Sequence, residues 1–193
     1  GGDGTQRAAH LVAEEVQRRK LKISIIGIPK TIDDDVQYVN RSFGYFTAIW
    51  KAKEIIDSAH VEAKGVFNGV AIVKVMGRDS GFIAAGASLA SQEVNFTLVP
   101  EVLFQLEGER GLLAVLHRRI LERHHAVIVV AEGAGQNLLP PRQERDVSGN
   151  VKYGDIGLFL KNKIKEYFAE QRVPIVTRYL DPSYSIRSVP AST

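Results

Sequence analysis

The run Lys22–Ile28, KISIIGI, and the loop directly after it, Pro29–Asp35, PKTIDDD, set the reading of the whole chain. Apolar side chains occupy adjacent as well as alternate positions of the run, so an extended segment would be apolar on both faces. That pattern predicts a strand buried in a parallel sheet, ended by Gly27-Ile28-Pro29. Working outward, Ala8, Leu11, Val12 and Val16 make the stripe of a helix over Gln6–Lys20. Downstream, Ala48, Ala52, Ile55, Ile56 and Ala59 make another before a second strand-like run, Gly69–Val75 (GVAIVKV). Ser80–Ser91 reads as a small-residue helix and Phe96–Val99 as a short strand. Leu113, Leu116 and Ile120 stripe a helix that precedes the strand Ala126–Ala131 (AVIVVA). Asn137–Lys152, with Pro140, Pro141 and Ser148-Gly149-Asn150, reads as a surface excursion. Ile156, Phe159, Leu160, Ile164 and Phe168 stripe the last helix, and Pro174–Tyr179 is the last strand. This alternation predicts an α/β protein of three layers, α/β/α, around a parallel sheet, with the chemistry in loops at the carboxyl ends of the strands.

The chain has 193 residues, 45% hydrophobic and 24% charged, enough for a sizeable core in one domain or two small ones. No apolar run is long enough to span a membrane, and no signal-peptide pattern opens the chain, so a cytoplasmic protein without membrane partners is expected. The absence of cysteine excludes disulfides and thiolate metal sites. A formal charge of +3 suits small anionic substrates. The densest basic stretch, Arg118, Arg119, Arg123, His124 and His125, carries no interleaved aromatics. It reads as a solvated helix end that complements the helix dipole, so no nucleic acid is expected as partner.

The polar residues concentrate after strand-like runs. Gly1-Gly2-Asp3-Gly4-Thr5 leads into a helix: glycines let backbone N–H groups approach a polyphosphate, Asp3 can hold the accompanying Mg²⁺, and the helix start faces the same anion. Pro29–Asp35 puts three carboxylates, a hydroxyl and a lysine at one strand end. Asp33 can take a proton from a substrate hydroxyl while Thr31 and Lys30 face a phosphoryl group. An isolated triplet of acids would equally serve as a solvated loop capping the next helix. After Val75, Met76-Gly77-Arg78 offers a bidentate clamp for phosphate, against the plainer reading of a surface ion pair. Glu132 can accept bonds from sugar hydroxyls or merely cap a helix. Arg178, Tyr184 and Arg187 make a second phosphate site or, taken alone, structural contacts. Asn68-Gly69 is most simply a turn entering a strand.

In this order the motifs GGDGT, PKTIDDD, VKVMGRDSG, Val99-Pro100-Glu101, AEGAGQ and Tyr184-Ser185-Ile186-Arg187 resemble the phosphofructokinase family over the whole chain, most closely the plant and trypanosomatid type of ATP-dependent 6-phosphofructokinase. The resemblance implies a phosphofructokinase-type fold that is incomplete at both ends, because the family's first nucleotide-binding glycine loop lies upstream of Gly1. It implies that residues 1–43 end a nucleotide-binding domain, 44–185 form a sugar-phosphate-binding domain and 186–193 return to the first.

The same resemblance implies that Asp33 is the base acting on the 1-hydroxyl of fructose 6-phosphate, and that Thr31 and Lys30 contact the transferring phosphoryl group. Gly2, Asp3, Gly4 and Thr5 would cradle the nucleotide, with Asp3 and Asp35 serving Mg²⁺ or its water shell. Met76, Gly77 and Arg78 would line the sugar, Glu132 would hold its hydroxyls, and Arg187 with Tyr184 would bind the 6-phosphate. Arg178 would reach the 6-phosphate of a neighbouring subunit in a homo-oligomer, a tetramer or dimer. Gly4 favours ATP as donor, since pyrophosphate enzymes of the family carry aspartate there; Lys30 suits pyrophosphate. A non-catalytic sugar-phosphate-binding homologue would be expected to lose Asp33, which is present. Two positions depart from the family pattern: Asp34 stands where asparagine is usual, and Asn68-Gly69 where bacterial members have a substrate arginine.

Overall fold

A computed structural model describes residues 1–141, 144 and 151–190. The central element is β1 (Gly69–Val75), buried along its length except at Lys74. It lies between β3 (His125–Ala131) and β4 (Val176–Leu180), and β2 (Phe96–Leu98) continues the sheet beyond β3, giving the order β2-β3-β1-β4 with every pair parallel. Runs such as GVAIVKV and HAVIVVA suit this position because helices cover both faces, so neither parity of side chain meets water.

Around the sheet are α1 (Asp3–Arg18), α2 (Tyr45–Lys64), α3 (Phe82–Ser91), α4 (Leu112–Arg123), α5 (Ile156–Glu170) and α6 (Ser183–Arg187). The connection β1–α3–β2 runs toward one sheet edge, whereas β2–α4–β3 and β3–α5–β4 run back. Right-handed crossovers therefore put α3, with α2 packed on it, on one face and α4 with α5 on the other. Ala48, Ala52, Ala59 and Ala63 are the buried positions of α2 beside Ile56, so this helix lies close against the sheet. On the opposite face Leu116, Ile120, Leu160, Ile164 and Phe168 close the core. Removing a side chain such as Ile72 or Phe168 from water stabilises the fold by about 2 kcal/mol each. The start of α5 is fixed by Asp155, whose carboxylate accepts the Leu158 N–H at 3.0 Å.

Several expected boundaries move. The first helix starts at Asp3 rather than Gln6, the small-residue helix starts at Phe82 rather than Ser80, and the last strand starts at Val176 rather than Pro174. The one large correction is Lys22–Ile28. It forms no strand, and Ile26 is 83% exposed and Ile28 63%. The physical reason is the absence of a neighbour: among the described residues no strand pairs with this run, and α1 beside it buries no residue. The excursion at 137–152 begins with a short 3-10 turn, Gln136–Leu138; residues 142, 143 and 145–150, with the Ser148-Gly149-Asn150 turn, lie outside the described residues.

Candidate functional site

β1 leads into α3 on one face and its neighbour β3 leads toward α5 on the other, so a crevice opens between their carboxyl ends. The two loops that leave there are locked together. Glu132 N–H donates to Val75 O and Gly133 N–H to Gly77 O, both at 2.9 Å. A side chain at Gly133 would put a Cβ 1.6 Å from the Arg78 carbonyl oxygen, so only glycine allows the approach. Gly77 turns with φ +125, outside the range of other residues. The Gln136 amide donates to the Glu132 carbonyl at 2.7 Å and fixes the second loop.

The loop that follows residue 28 arrives at the same crevice. The Ser80 hydroxyl donates to the Asp33 carbonyl at 3.0 Å, and the Ser42 hydroxyl donates to the Thr31 carbonyl. The three neighbouring acids separate here. Asp35 is exposed. Asp34 sits at φ +56 with its Oδ1 accepting the Ser42 N–H at 2.6 Å, a turn conformation that asparagine and aspartate share and a bond that either can accept. The bond turns the Asp34 carboxylate to Ser42.

Asp33 is the member turned inward, and its Oδ1 is buried without a protein partner. Burial, then the charges of Asp35 and Glu132, push its carboxyl up to about 6, against the opposing pull of Arg187 and Arg78. Asp33, Arg78, Glu132 and Arg187 are thus in one electrostatic neighbourhood although they come from four parts of the chain. Such a group can hold a proton acceptor beside two cations, the combination that proton abstraction with phosphoryl transfer requires.

The glycine-rich start lies next to this loop. Lys30 N–H donates to Gly1 O at 2.7 Å, and the Gln6 amide reaches Ile28 O at 2.9 Å. Gly2 precedes α1 with no side chain capping the helix, so the first N–H groups stay free for an anion, and a Cβ on Gly2 would be 3.6 Å from the Thr31 Cβ. A Cβ on Gly4 would meet nothing within 4 Å. Asp3 pairs with Arg7 at 2.9 Å on the surface of the first turn, and Thr5 and Lys30 are exposed. Among the described residues no group of three or more His, Asp or Glu converges as a metal cage.

The remaining expected residues divide. Met76 packs partly against the core beside Gly77. Arg187 ends α6, and Tyr184, in the same short helix, is 79% exposed. Arg178 stands elsewhere: it pairs in register with Ala71, four positions before the end of β1 and about 13 Å back along the strand, and forms an ion pair with Glu62 of α2. Asn68 lies at the opposite, amino-terminal end of the sheet, where its side chain bonds Pro174 O at 2.9 Å and the His124 ring at 3.0 Å; it is a turn, as its sequence suggests.

Sequence reasoning missed Ser42, Ser80, Tyr153 and Glu101. Tyr153 lies under Arg78, 4.6 Å from guanidinium to ring centre, and Arg78 also donates to Val151 O at 2.5 Å. Glu101 accepts the Gly81 N–H at 2.7 Å at the start of α3. Nothing local marks Ser42 or Tyr153. Ser80 and Glu101 lie inside motifs whose neighbours drew the attention.

A phosphofructokinase family model matches residues 1–193. The ATP-dependent 6-phosphofructokinase of Borreliella burgdorferi is 50% identical over 199 residues, covering all of this chain and 44% of that protein. ATP-dependent 6-phosphofructokinase 7 of Arabidopsis thaliana is 48% identical over 195 residues, again all of this chain and 40% of the relative. The chain therefore spans less than half the length of these relatives. Among solved structures, a pyrophosphate-dependent phosphofructokinase from Marinobacter aquaeolei superposes with a TM-score of 0.71 over 97% of this chain and 44% of that one; at 23% identity this speaks to the fold.

Proposed function

Because the chain belongs to the phosphofructokinase family, we propose that it carries the base and most of the sugar-phosphate site of an ATP-dependent 6-phosphofructokinase, a glycolytic transferase making fructose 1,6-bisphosphate. The observation that carries the reading is Asp33: a buried carboxylate oxygen with no protein partner, raised to about 6 and flanked by Arg78 and Arg187. A buried acceptor left unpaired is costly unless a ligand completes it.

In the reaction, Asp33 takes the proton of the 1-hydroxyl. The freed oxygen attacks the γ-phosphorus of ATP, the bond to the β-phosphate oxygen breaks, and ADP leaves. Thr31 and Lys30 steady the transferring group from the same loop, and Arg78 offsets its charge, a contribution that positioning and electrostatics dominate in phosphoryl transfer. Glu132 holds sugar hydroxyls; Met76 and Gly77 lie along the ring; Arg187 with Tyr184 takes the 6-phosphate. Gly2, Gly4 and Thr5 present the backbone of the α1 start to the nucleotide.

Mg²⁺ typically takes one or two carboxylates and completes its shell with water and phosphate oxygens. Asp3, exposed at the helix start with only a surface partner in Arg7, fits that demand, with Asp35 on the water shell; the ion would supply charge neutralisation of the polyphosphate. The open space beside Gly4 supports ATP: among the described residues a Cβ there would meet nothing within 4 Å, and the lack of a side chain leaves room for a nucleotide to pass close. Arg178, exposed and engaged with Glu62 away from Asp33, supports the reading that it serves a neighbouring subunit of a homo-oligomer. Among the described residues the buried core begins at Ala48, which supports assigning 1–43 to the edge of the nucleotide domain and 44–185 to the sugar-phosphate domain; Ile186, the first residue assigned to the return segment, still packs in that core. No helix among the described residues is long and apolar enough to cross a membrane.

The test is a donor comparison in the full-length enzyme at saturating Mg²⁺. Fructose 6-phosphate should be phosphorylated by ATP, and Gly4→Asp should suppress ATP use while sparing fructose 6-phosphate binding. A clear preference for pyrophosphate, or no transfer from either donor, overturns the assignment.

A further inference from the structure

We infer that Ser80 is a positioning residue that fixes the base-bearing loop to the loop carrying Gly77 and Arg78; the inference rests on the function proposed above. Ser80 is 6% exposed, and its hydroxyl donates to the carbonyl of Asp33 itself, across 47 positions of sequence. Its own main chain is held from two sides. A Cβ on Gly77 would come within 2.3 Å of the Ser80 carbonyl oxygen, so the turn closes tightly on it, and the next N–H, of Gly81, is bonded to Glu101. The hydroxyl therefore projects from a rigid frame.

Ile32 anchors the base loop against the core, but of the hydrogen bonds to Thr31, Asp33 and Asp34 no other comes from the β1 side. Asp33 N–H donates to Thr31 Oγ1 at 3.2 Å, a bond within the loop that does not attach it to anything. Ser42 holds the flanking residues, through the Thr31 carbonyl and the Asp34 carboxylate, but Ser42 belongs to the chain entering α2. Of these ties to Thr31, Asp33 and Asp34, only the one from Ser80 originates beside Gly77 and Arg78. One hydroxyl thus places the proton acceptor and the sugar-facing loop in a common frame. Without it the sugar still finds Arg78, Glu132 and Arg187, while the distance from Asp33 to the 1-hydroxyl becomes variable. Turnover depends steeply on that distance and ground-state binding does not.

The experiment uses the full-length enzyme with Ser80→Ala, Ser80→Thr and Ser91→Ala. Ser91 is a control from the far end of α3, the helix that follows Ser80, its hydroxyl bonded to Asp57 at 2.6 Å. Ser80→Ala should lower kcat about three- to tenfold, the equivalent of one neutral hydrogen bond, with KM for fructose 6-phosphate nearly unchanged. Ser80→Thr keeps the hydroxyl and should recover turnover, and Ser91→Ala should leave it alone. Amide hydrogen exchange without substrate should quicken at Asp33 and Ser42 in Ser80→Ala only. Unchanged kcat in Ser80→Ala, a rise in KM in place of the fall in kcat, or unchanged exchange at Asp33 overturns the inference. Should the wild-type enzyme transfer no phosphoryl group, the functional reading fails by itself, and the exchange measurement still decides whether Ser80 holds the loop.

Discussion

Ile72 and Ile26 sit in apolar runs of the same kind, yet Ile72 is fully buried between two parallel neighbours and Ile26 is 83% exposed. Their difference shows that a strand is made by what lies beside it: composition states a preference, and paired neighbours and covering helices realise it. The two regions also differ in how they are held. The elements from α2 to α6 share one core, whereas the segment 1–43 reaches it through Ile32 and is otherwise held by polar ties: Gln6 to Ile28, Lys30 to Gly1, Ser42 to Thr31, and Ser80 to Asp33. Asp33 belongs to the second kind of region by attachment and to the first by burial. Chemistry and stability should therefore respond to different substitutions.

The largest effect expected is on chemistry alone. Asp33→Ala in the full-length enzyme should lower turnover by about 10² to 10⁴ with little change in sugar affinity. Steady-state kinetics checks this, and near-normal turnover would remove Asp33 from its role.

Stability should divide along the same line. Ile72→Ala should destabilise the fold by about 2–5 kcal/mol, whereas Ile26→Ala should stay within about 0.5 kcal/mol in this chain. Denaturant melts of the two variants decide it; equal losses would mean that residues 22–28 are packed in solution.

Next in size is the proposed contact of Arg187 with the 6-phosphate. Arg187→Ala should weaken fructose 6-phosphate binding by about 1.5–3 kcal/mol, the usual worth of a charge-assisted hydrogen bond, and leave nucleotide affinity unchanged. Titration calorimetry with each ligand separates this from general misfolding, which would weaken both.

The smallest effect sharpens the comparison most. Since Asp33 is raised to about 6, the folded state holds its proton more tightly than the unfolded chain; its stabilising contribution is complete below the ordinary carboxylate range and is lost as pH rises through about 6. Asp33→Asn should therefore stabilise the fold by about 1–3 kcal/mol at pH 8 and by nothing near pH 4, even as it removes activity. Melts at both pH values test the sign. A variant less stable than wild type at pH 8 would show that the charged carboxylate is satisfied in the fold.

Much of the arrangement was legible in advance because period and turn chemistry are local. The buried runs at Gly69–Val75 and Ala126–Ala131, the stripes of α2, α4 and α5, and the concentration of polar residues after strands all follow from residue order. The fate of Lys22–Ile28 did not, since pairing is a property of two segments. Nor did the separate fates of Asp33, Asp34 and Asp35: three identical side chains are distinguished only by the left-handed backbone at Asp34 and the crevice facing Asp33. Ser42 and Ser80 were invisible for the same reason, their partners lying 11 and 47 positions away.

The strand order carries a consequence for how the chain acquires its shape. Gly69 pairs with His125 on one side and with Val176, 107 positions downstream, on the other. Of the four described strands, β1, inside the sheet, is thus synthesised first and has its second edge covered last. At about 5–20 residues per second, β1 waits on the order of ten seconds on the ribosome before its second edge can be satisfied. Non-local parallel pairing of this kind also folds slowly from the denatured state. Until β3 emerges both edges of this apolar ribbon are open, and until β4 emerges one still is; an open edge invites pairing with other nascent chains, and the helices α2 and α3, which form locally beside it, are its earliest shelter.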